Sequence, residues 1–375
     1  MIQMENYSRD VYLCWLASGG IPPEKVQLLL EACNDHPQGL LEEIRMGEER
    51  PAGVSLGEKV LFTLKKNGQP RCLDFWADIL EKERIHTCVP GDGVYPERLL
   101  RSQDPPAILF YIGEMISDTL PAIAMVGSRS ASWKGLEATE RIAAALSEKG
   151  VRIVSGLAYG IDAAAHKGCL KGGSPTAAVL GCGPEQNYPA ENGPLKRQIL
   201  ERGGVILSEY PPGDKPLGWH FPVRNRIISA LADAVILMEA RIRSGSMTTV
   251  QHALNQGRDV FVYPGEPDSI KCEGNHQLLR EGAIYFTTAD DILEDMGWLD
   301  KKKEVRQNSD CTVKDERLPE NERAVLNLLQ RGAMSLDELC EATGLSAGQM
   351  MSQLTMMQLS GFITVLPGKL YGIKG

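Results

Sequence analysis

The sequence predicts an α/β protein: an extended Rossmann-like, doubly wound, mostly parallel sheet, with a small helical N-terminal domain and a C-terminal winged-helix domain. Three observations predict it. From about residue 85 to 290, short β-branched apolar runs alternate with helical stretches at the spacing of successive βα units. Glycines 127, 156, 181, 183 and 265 each fall just after such a run, where a doubly wound sheet keeps its ligand crevice. A polar stretch without apolar periodicity, 299–317, then separates three short helical patterns and two strands from the rest.

Taken in order, residues 1–70 read as a helical domain of the SAM or helix-hairpin-helix kind. Val11, Leu13, Trp15 and Leu16 begin one apolar face. After Gly19-Gly20-Ile21-Pro22-Pro23, a second helix carries Val26, Leu28, Leu29 and Leu30. The hairpin has no basic residue but Lys25, which favours a small adaptor over a DNA contact. Residues 71–84 read as a connector, and 85–298 as the Rossmann-like domain. There the strands fall at 123–126, 151–154, 176–180, 204–207, 234–238 and 260–263, with a helix at 137–149. Residues 299–317 are a linker. In the winged-helix domain, 318–375, helices at 320–330, 335–343 and 346–359 precede strands at 362–366 and 369–373 around Pro367-Gly368. Ser335 with Glu338, and Ser346 with Gln349, have the spacing of helix starts.

With 375 residues, 43% of them hydrophobic and 24% charged, the chain has the composition of a soluble globular protein of two or three domains. No apolar run reaches membrane-span length and Met1 to Asp10 is polar and acidic, so a cytoplasmic protein without a membrane partner is expected. The nine cysteines form no Cys-x-x-Cys or Cys/His cluster, so neither a disulfide framework nor a metal site is expected. The net charge of −9 speaks against nucleic acid until it is mapped. Residues 1–120 hold 12 Lys/Arg against 19 Asp/Glu, and 291–375 hold 10 against 13. Residues 121–290 hold 18 against 17, leaving a neutral middle whose bases can gather on one face.

Four constellations could carry function. Ser155-Gly156-Leu157-Ala158-Tyr159-Gly160-Ile161-Asp162 reads as strand, tight glycine turn and helix start, followed by His166. Such a turn offers backbone N–H groups to a phosphate, whether of a nucleotide, a dinucleotide or a nucleic-acid backbone. Asp162 and His166 fit a helix cap and a core hydrogen bond as well as they fit a ligand. Gly127-Ser128-Arg129 sets an arginine at a strand end, in reach of a phosphate or a base. Arg224, Asn225 and Arg226 concentrate planar donors at one end of a helix; the arginines gain nothing from the dipole there, which makes a purely local role less attractive. Ser244-Gly245-Ser246 puts small residues at another helix start, again an anion nest. No Gly-x-Gly-x-x-Gly with a following acidic residue and no Gly-Lys-Ser/Thr occurs here, and no nucleophile stands with a base at a recognisable spacing. A nicotinamide cofactor, ATP hydrolysis and nucleophilic catalysis are therefore unsupported, and neither cofactor nor enzymatic activity is expected.

In this order the blocks resemble the DNA-processing protein A (DprA/Smf) family of bacterial recombination mediators. They are Met125-Val126-Gly127-Ser128-Arg129; Ser155-Gly156-Leu157-Ala158 with Gly160-Ile161-Asp162 and Ala164-Ala165-His166; Ala178 to Gly183 with Tyr188-Pro189; Leu207-Ser208-Glu209; Phe221-Pro222-Val223-Arg224-Asn225-Arg226-Ile227-Ile228; Ser244-Gly245-Ser246; and Gly257-Arg258 through Val262-Tyr263-Pro264-Gly265. Tyr95-Pro96 and Asp104-Pro105-Pro106 also fit, and the resemblance covers residues 85–290. It implies a single-stranded DNA-binding protein, not an enzyme, that protects incoming DNA during natural transformation, helps load the RecA recombinase and forms homodimers. Carried onto this chain, Arg129 is the leading DNA contact and the Ser155–His166 turn seats a phosphate. Arg224, Asn225, Arg226 and Ser244-Gly245-Ser246 would line the same groove, while Lys171 and Lys196 lie near places where the family carries basic residues. Gly183-Pro184-Glu185-Gln186-Asn187 departs from the family's leucine-aspartate. The third helix of the winged domain has Ser346, Gln349, Ser352 and Gln353 but no Lys or Arg, so weak DNA binding, and a protein contact instead, is expected there. The alternatives are a nucleotide-processing enzyme of the phosphoribohydrolase kind, in which Gln251 would replace the needed glutamate, and a nucleotide-sensing module on the same fold.

Overall fold

The computed structural model describes residues 7–34, 36–298, 320–329, 334–359, 362–366 and 370–373, in two compact units, 1–299 and 300–375. The 299–317 linker and the Pro367-Gly368 turn lie outside the described residues. Among the described residues no helix is long and apolar enough to cross a membrane.

The first unit opens with five helices: α1 (Arg9–Ala17), α2 (Pro23–Ala32), α3 (Gln38–Met46), α4 (Glu58–Asn67) and α5 (Pro70–Glu83). The stretch read as a connector at 71–84 is thus almost wholly α5, whose Leu73, Trp76 and Leu80 are buried. Leu28, read as part of the apolar face of α2, is 52% exposed, because the 3.6-residue period turns it away from Val26, Leu29 and Leu30. The helices do not form a core of their own: Trp15, Leu64 and Leu73 share one with Ile85, Ile108 and Phe110. Trp76 also donates its indole N–H to the Pro212 carbonyl at 3.2 Å.

The rest of this unit alternates strand and helix. Its elements are β1 (His86–Cys88), α6 (Glu97–Leu100), β2 (Leu109–Gly113), β3 (Ala122–Val126), α7 (Trp133–Glu148), β4 (Arg152–Ser155), α8 (Ile161–Gly172), β5 (Ala177–Leu180), α9 (Gly193–Glu201), β6 (Val205–Ser208), α10 (His220–Ala230), β7 (Ala234–Leu237), α11 (Gly245–Asn255), β8 (Asp259–Val262), α12 (Glu273–Arg280), β9 (Ile284–Tyr285) and α13 (Ala289–Asp295). They build a nine-stranded sheet in the order β1-β2-β6-β5-β4-β3-β7-β8-β9. β1 and β2 pair antiparallel at one edge and all other neighbours from β6 to β9 run parallel. Both faces are buried, as a parallel sheet requires. Ala122, Ala124 and Val126 pack with Ile227, Val250 and Ala253 on one face. Ile123 and Met125 pack with Ile142, Ala165 and Phe286 on the other.

The chain winds from β3 out through β4, β5 and β6, then crosses back to lay β7 on the other side of β3. β3 and β7 are therefore the switch point, where the loops after adjacent strands diverge to opposite faces and leave a crevice.

In the second unit, α14 (Glu320–Leu329), β10 (Met334–Ser335), α15 (Leu336–Thr343), α16 (Ala347–Leu359), β11 (Ile363–Leu366) and β12 (Leu370–Ile373) form a winged helix. Its sheet has the order β10-β12-β11, and Val325, Leu339, Met350 and Leu354 fill its core. Ser335 and Glu338 close a reciprocal capping box on α15, the start read from their spacing.

Candidate nucleic-acid interface

A groove of about 650 Å³ opens at the β3/β7 switch point. The loop after β3 supplies Gly127, Ser128, Arg129 and Ser130; the loop after β7 supplies Arg241, Arg243, Ser244, Gly245 and Ser246; the start of α10 supplies Phe221, Pro222 and Asn225. The two loops are tied together by the Ser128 N–H, which donates to the Glu239 carbonyl at 2.6 Å. The Glu239 carboxylate, 2% exposed, accepts from the backbone and hydroxyl of Ser132 at 2.9 and 2.6 Å, which fixes the start of α7. Gly127 has to be glycine: a Cβ would stand 2.9 Å from the Glu239 carbonyl oxygen and 2.6 Å from Ile161 Cγ1.

Arg129 is exposed, and its guanidinium lies 5.2 Å from the centre of the Phe221 ring. Phe221 in turn stacks on Tyr188, with centroids 5.4 Å apart and planes 24° apart. Beside this column a smaller pocket of about 70 Å³ is walled by Tyr159, Leu180, Pro189 and the same three side chains. A cation next to flat apolar walls suits a phosphate beside a stacked base. Asn225 donates its amide to Thr248 Oγ1 at 2.8 Å and to the Gly245 carbonyl at 3.2 Å, bracing the start of α11. Ser244 and Ser246 share a hydroxyl hydrogen bond of 2.7 Å there. α10 and α11 both begin at the groove, so two helix N-termini add partial positive charge to the guanidiniums.

Other residues singled out in the sequence serve the frame. The turn from Ser155 to Ile161 does not hold its donors open: the amides of Gly156 and Ala158 donate to Asp162 Oδ2 at 3.2 and 3.3 Å, and that of Ile161 to the Ser128 carbonyl at 3.2 Å. The chain's own carboxylate thus occupies the nest expected to receive a phosphate. Burial pushes the Asp162 carboxyl above its usual range, against the pull of Arg224 and the two amides. Gly160 sits at φ +73°, with no room for a Cβ against the Ser128 carbonyl. Ser155 is fully buried and donates to the Met125 carbonyl at 2.7 Å.

His166 is also fully buried. The Thr176 hydroxyl donates to the Ile153 carbonyl at 2.6 Å, so His166 Nδ1–H is the donor in its 2.8 Å bond to Thr176. Nε2 is left as an acceptor without a partner among the described residues, and burial, then the Arg224 charge, pushes the ring down to about 3.

The two arginines of α10 diverge. Arg224, 3% exposed, reaches under the groove floor to the carbonyls of Gly156, at 3.1 Å, and Val179, and burial brings it down to about 10. Arg226, 7% exposed, is clamped by Glu209, Nη1–Oε2 3.0 Å and Nη2–Oε1 2.5 Å, and by Asp104 at 2.8 Å. Lys196 is buried and donates to the carbonyls of Pro184 and Gln186 at 2.6 and 2.9 Å, its ammonium brought down to about 8 by burial. Lys171 pairs with Glu140 on another surface, away from the groove.

Sequence reasoning passed over Arg241 and Arg243. The signal was present: two arginines directly follow a crevice strand and precede the Ser244-Gly245-Ser246 helix start. It also passed over the Tyr188–Phe221 column, since 33 residues separate its members.

Comparison with known proteins agrees with this architecture. A family model described as DNA recombination-mediator protein A matches residues 86–297, and one described as the DprA winged helix domain matches 312–369. The chain is 38% identical over 290 residues to Protein Smf of Escherichia coli, covering 76% of each chain. It is 43% identical over 202 residues to the DNA processing protein DprA of Streptococcus pneumoniae, covering 54% of this chain and 71% of that one. The X-ray structure of DNA processing protein A from Streptococcus pneumoniae superposes with a TM-score of 0.65 at 32% identity, over 77% of this chain and 98% of that one. DNA processing protein A from Helicobacter pylori, whose structure is described as giving insight into its single-stranded DNA binding mode, superposes with a TM-score of 0.50 at 26% identity, over 57% of this chain and 95% of that one. With its sheet matched to one family model and its winged helix to the other, the chain belongs to the DNA recombination-mediator protein A (DprA/Smf) family.

Proposed function

We propose that this chain binds single-stranded DNA along the β3/β7 groove and acts as a recombination mediator, without a catalytic step of its own. The observation that carries the reading is the exposed Arg129 guanidinium over the Phe221–Tyr188 column, at a crevice that also gathers Arg241, Arg243 and two helix N-termini. Arg129 and the Ser244-Gly245-Ser246 helix start contact phosphates, and the aromatic column takes a base. The single-strand binding described for the Helicobacter pylori relative supports it. In its finer form the proposal has the protein work in the cytoplasm as a homodimer that shields incoming strands in transformation and hands them to a RecA-type recombinase. An enzymatic reading is weaker: the groove's carboxylate, Asp162, is turned to backbone amides, and Gln251 donates to Asn255 at 3.0 Å on an exposed face of α11.

The test is an anisotropy titration with oligothymidylate over a range of salt. Three exposed guanidiniums, at about −0.7 each, give a slope of log K against log salt of roughly −2. Arg129→Ala should weaken binding about tenfold and take about 0.7 off that slope. Equal affinity and slope in wild type and variant would remove Arg129 from the site, and no strand binding by the wild type would end the proposal.

A further inference from the structure

We propose that Trp219 is a second stacking platform, which takes a nucleobase of the same strand where it leaves the groove; this rests on the single-strand reading above. Trp219 directly precedes α10, between the groove-lining Gly218 and Phe221, and the residue is 64% exposed. Its indole leaves an aromatic face open to solvent beside a cationic groove, where a nucleobase can stack on it. The ring is not loose. It packs edge-on against His220, with centroids 4.1 Å apart and planes 82° apart. His220 is buried, stacks on Tyr210 at 3.8 Å and 17°, and is held through Nδ1 by the Gly181 carbonyl at 3.0 Å. The indole therefore stands on a fixed aromatic support, and ordering it on a ligand loses little side-chain freedom.

The occupant follows from the setting. A single strand bound at Arg129, Arg241 and Arg243 carries its bases past the groove rim, and any base offers a π face, so stacking there adds affinity with little sequence preference. The contact releases no counterion. Its loss should lower affinity at every salt concentration without changing the salt slope, which separates it from the arginines.

The experiment uses the full chain and two oligomers of equal length and charge, oligothymidylate and one with abasic positions throughout, titrated at several salt concentrations. Trp219→Ala should weaken oligothymidylate binding at least about fivefold with an unchanged slope, Trp219→Phe should retain most of the affinity, and neither should alter binding of the abasic strand. Arg129→Ala is the control that must weaken both strands. If Trp219→Ala binds oligothymidylate like wild type while Arg129→Ala does not, this inference is overturned and the groove reading stands. Equal losses on both strands, or a loss in Trp219→Phe as large as in Trp219→Ala, would make the indole a structural support and also overturn it. So would unchanged strand binding with altered self-association in sedimentation, which would assign the ring to a protein contact. If the wild type binds neither strand, the single-strand reading itself falls.

Discussion

Arg226→Ala removes a guanidinium from between Glu209 and Asp104, and the loss should appear in stability rather than in strand affinity. The Arg226 and Glu209 side chains are 8% and 17% exposed, and they meet through two parallel hydrogen bonds. Burial alone would lower the guanidinium, yet Glu209 and Asp104 hold it above its ordinary value. Removing one partner of such a pair leaves a carboxylate in a poorly solvated place, at about 3–5 kcal/mol. The Asp104 arm adds little, because that side chain is 56% exposed and is solvated once freed. The Glu209 side chain keeps some contact with solvent, so the lower end, about 3 kcal/mol, is expected. With an m value of about 3 kcal/mol/M, the urea midpoint of the first unit, followed by far-UV circular dichroism, should fall by about 1 M. Arg226→Met with Glu209→Leu removes both charges and should recover much of the loss. At a temperature where Arg226→Ala is folded, it should bind oligothymidylate with the wild-type salt slope. An unchanged midpoint together with a reduced slope would refute this reasoning and return Arg226 to the DNA contacts.

The remaining predictions concern titration, backbone and domain. His166 titrates at about 3 in the folded chain, below its unfolded value near 6.5, so the unfolded state takes up the proton first. Stability should be lost as pH falls from about 6.5 toward 3, by up to about 1.4 kcal/mol per pH unit from this group; His166→Asn should flatten that slope, and an equal slope in both proteins would show that the ring is not buried neutral. Burial, with the charge of Glu185, raises Asp214 to about 6, so its contribution has the opposite sign: it is present at low pH and lost as pH rises through about 6. Asp214→Asn should therefore exceed the wild type in urea midpoint above pH 6 but not at pH 3, and a variant less stable above pH 6 would contradict the assignment. Gly160→Ala puts a Cβ against the Ser128 carbonyl at a φ of +73° and should cost about 2 kcal/mol in thermal unfolding; a wild-type melting temperature would sink the steric account. A chain ending at residue 317 should keep its oligothymidylate affinity, since α16 carries no Lys or Arg; a large loss on truncation would place strand contacts in the winged helix.

The sheet was legible because its signals are local. A strand such as 123–126 is apolar on both faces and closes on a glycine, and the repeat of that unit gives a doubly wound order. Arg129 was legible for the same reason: a residue just after a crevice strand has almost nowhere to go but the crevice. The antiparallel edge, β1 and β2, was not legible, since two short strands among prolines carry little periodicity. Nor was the shared core of the N-terminal helices, where Trp15 and Phe110 belong to one cluster but lie far apart in the chain.

What the sequence by itself determined is therefore the place of the candidate site: a crevice at the carboxyl ends of parallel strands, with Arg129 in it. Only the tertiary structure decided which of the other polar groups face a ligand. Arg224 and Arg226 stand two residues apart on one helix, and the dipole argument sent both outward. Yet Arg224 meets the carbonyls of Gly156 and Val179, while Arg226 meets carboxylates at Glu209 and Asp104. The partner that satisfies a buried charge, or that fills an amide nest as Asp162 does, is set by which loops the fold brings together. That information lies in contacts between distant residues, which no local pattern of residue types records.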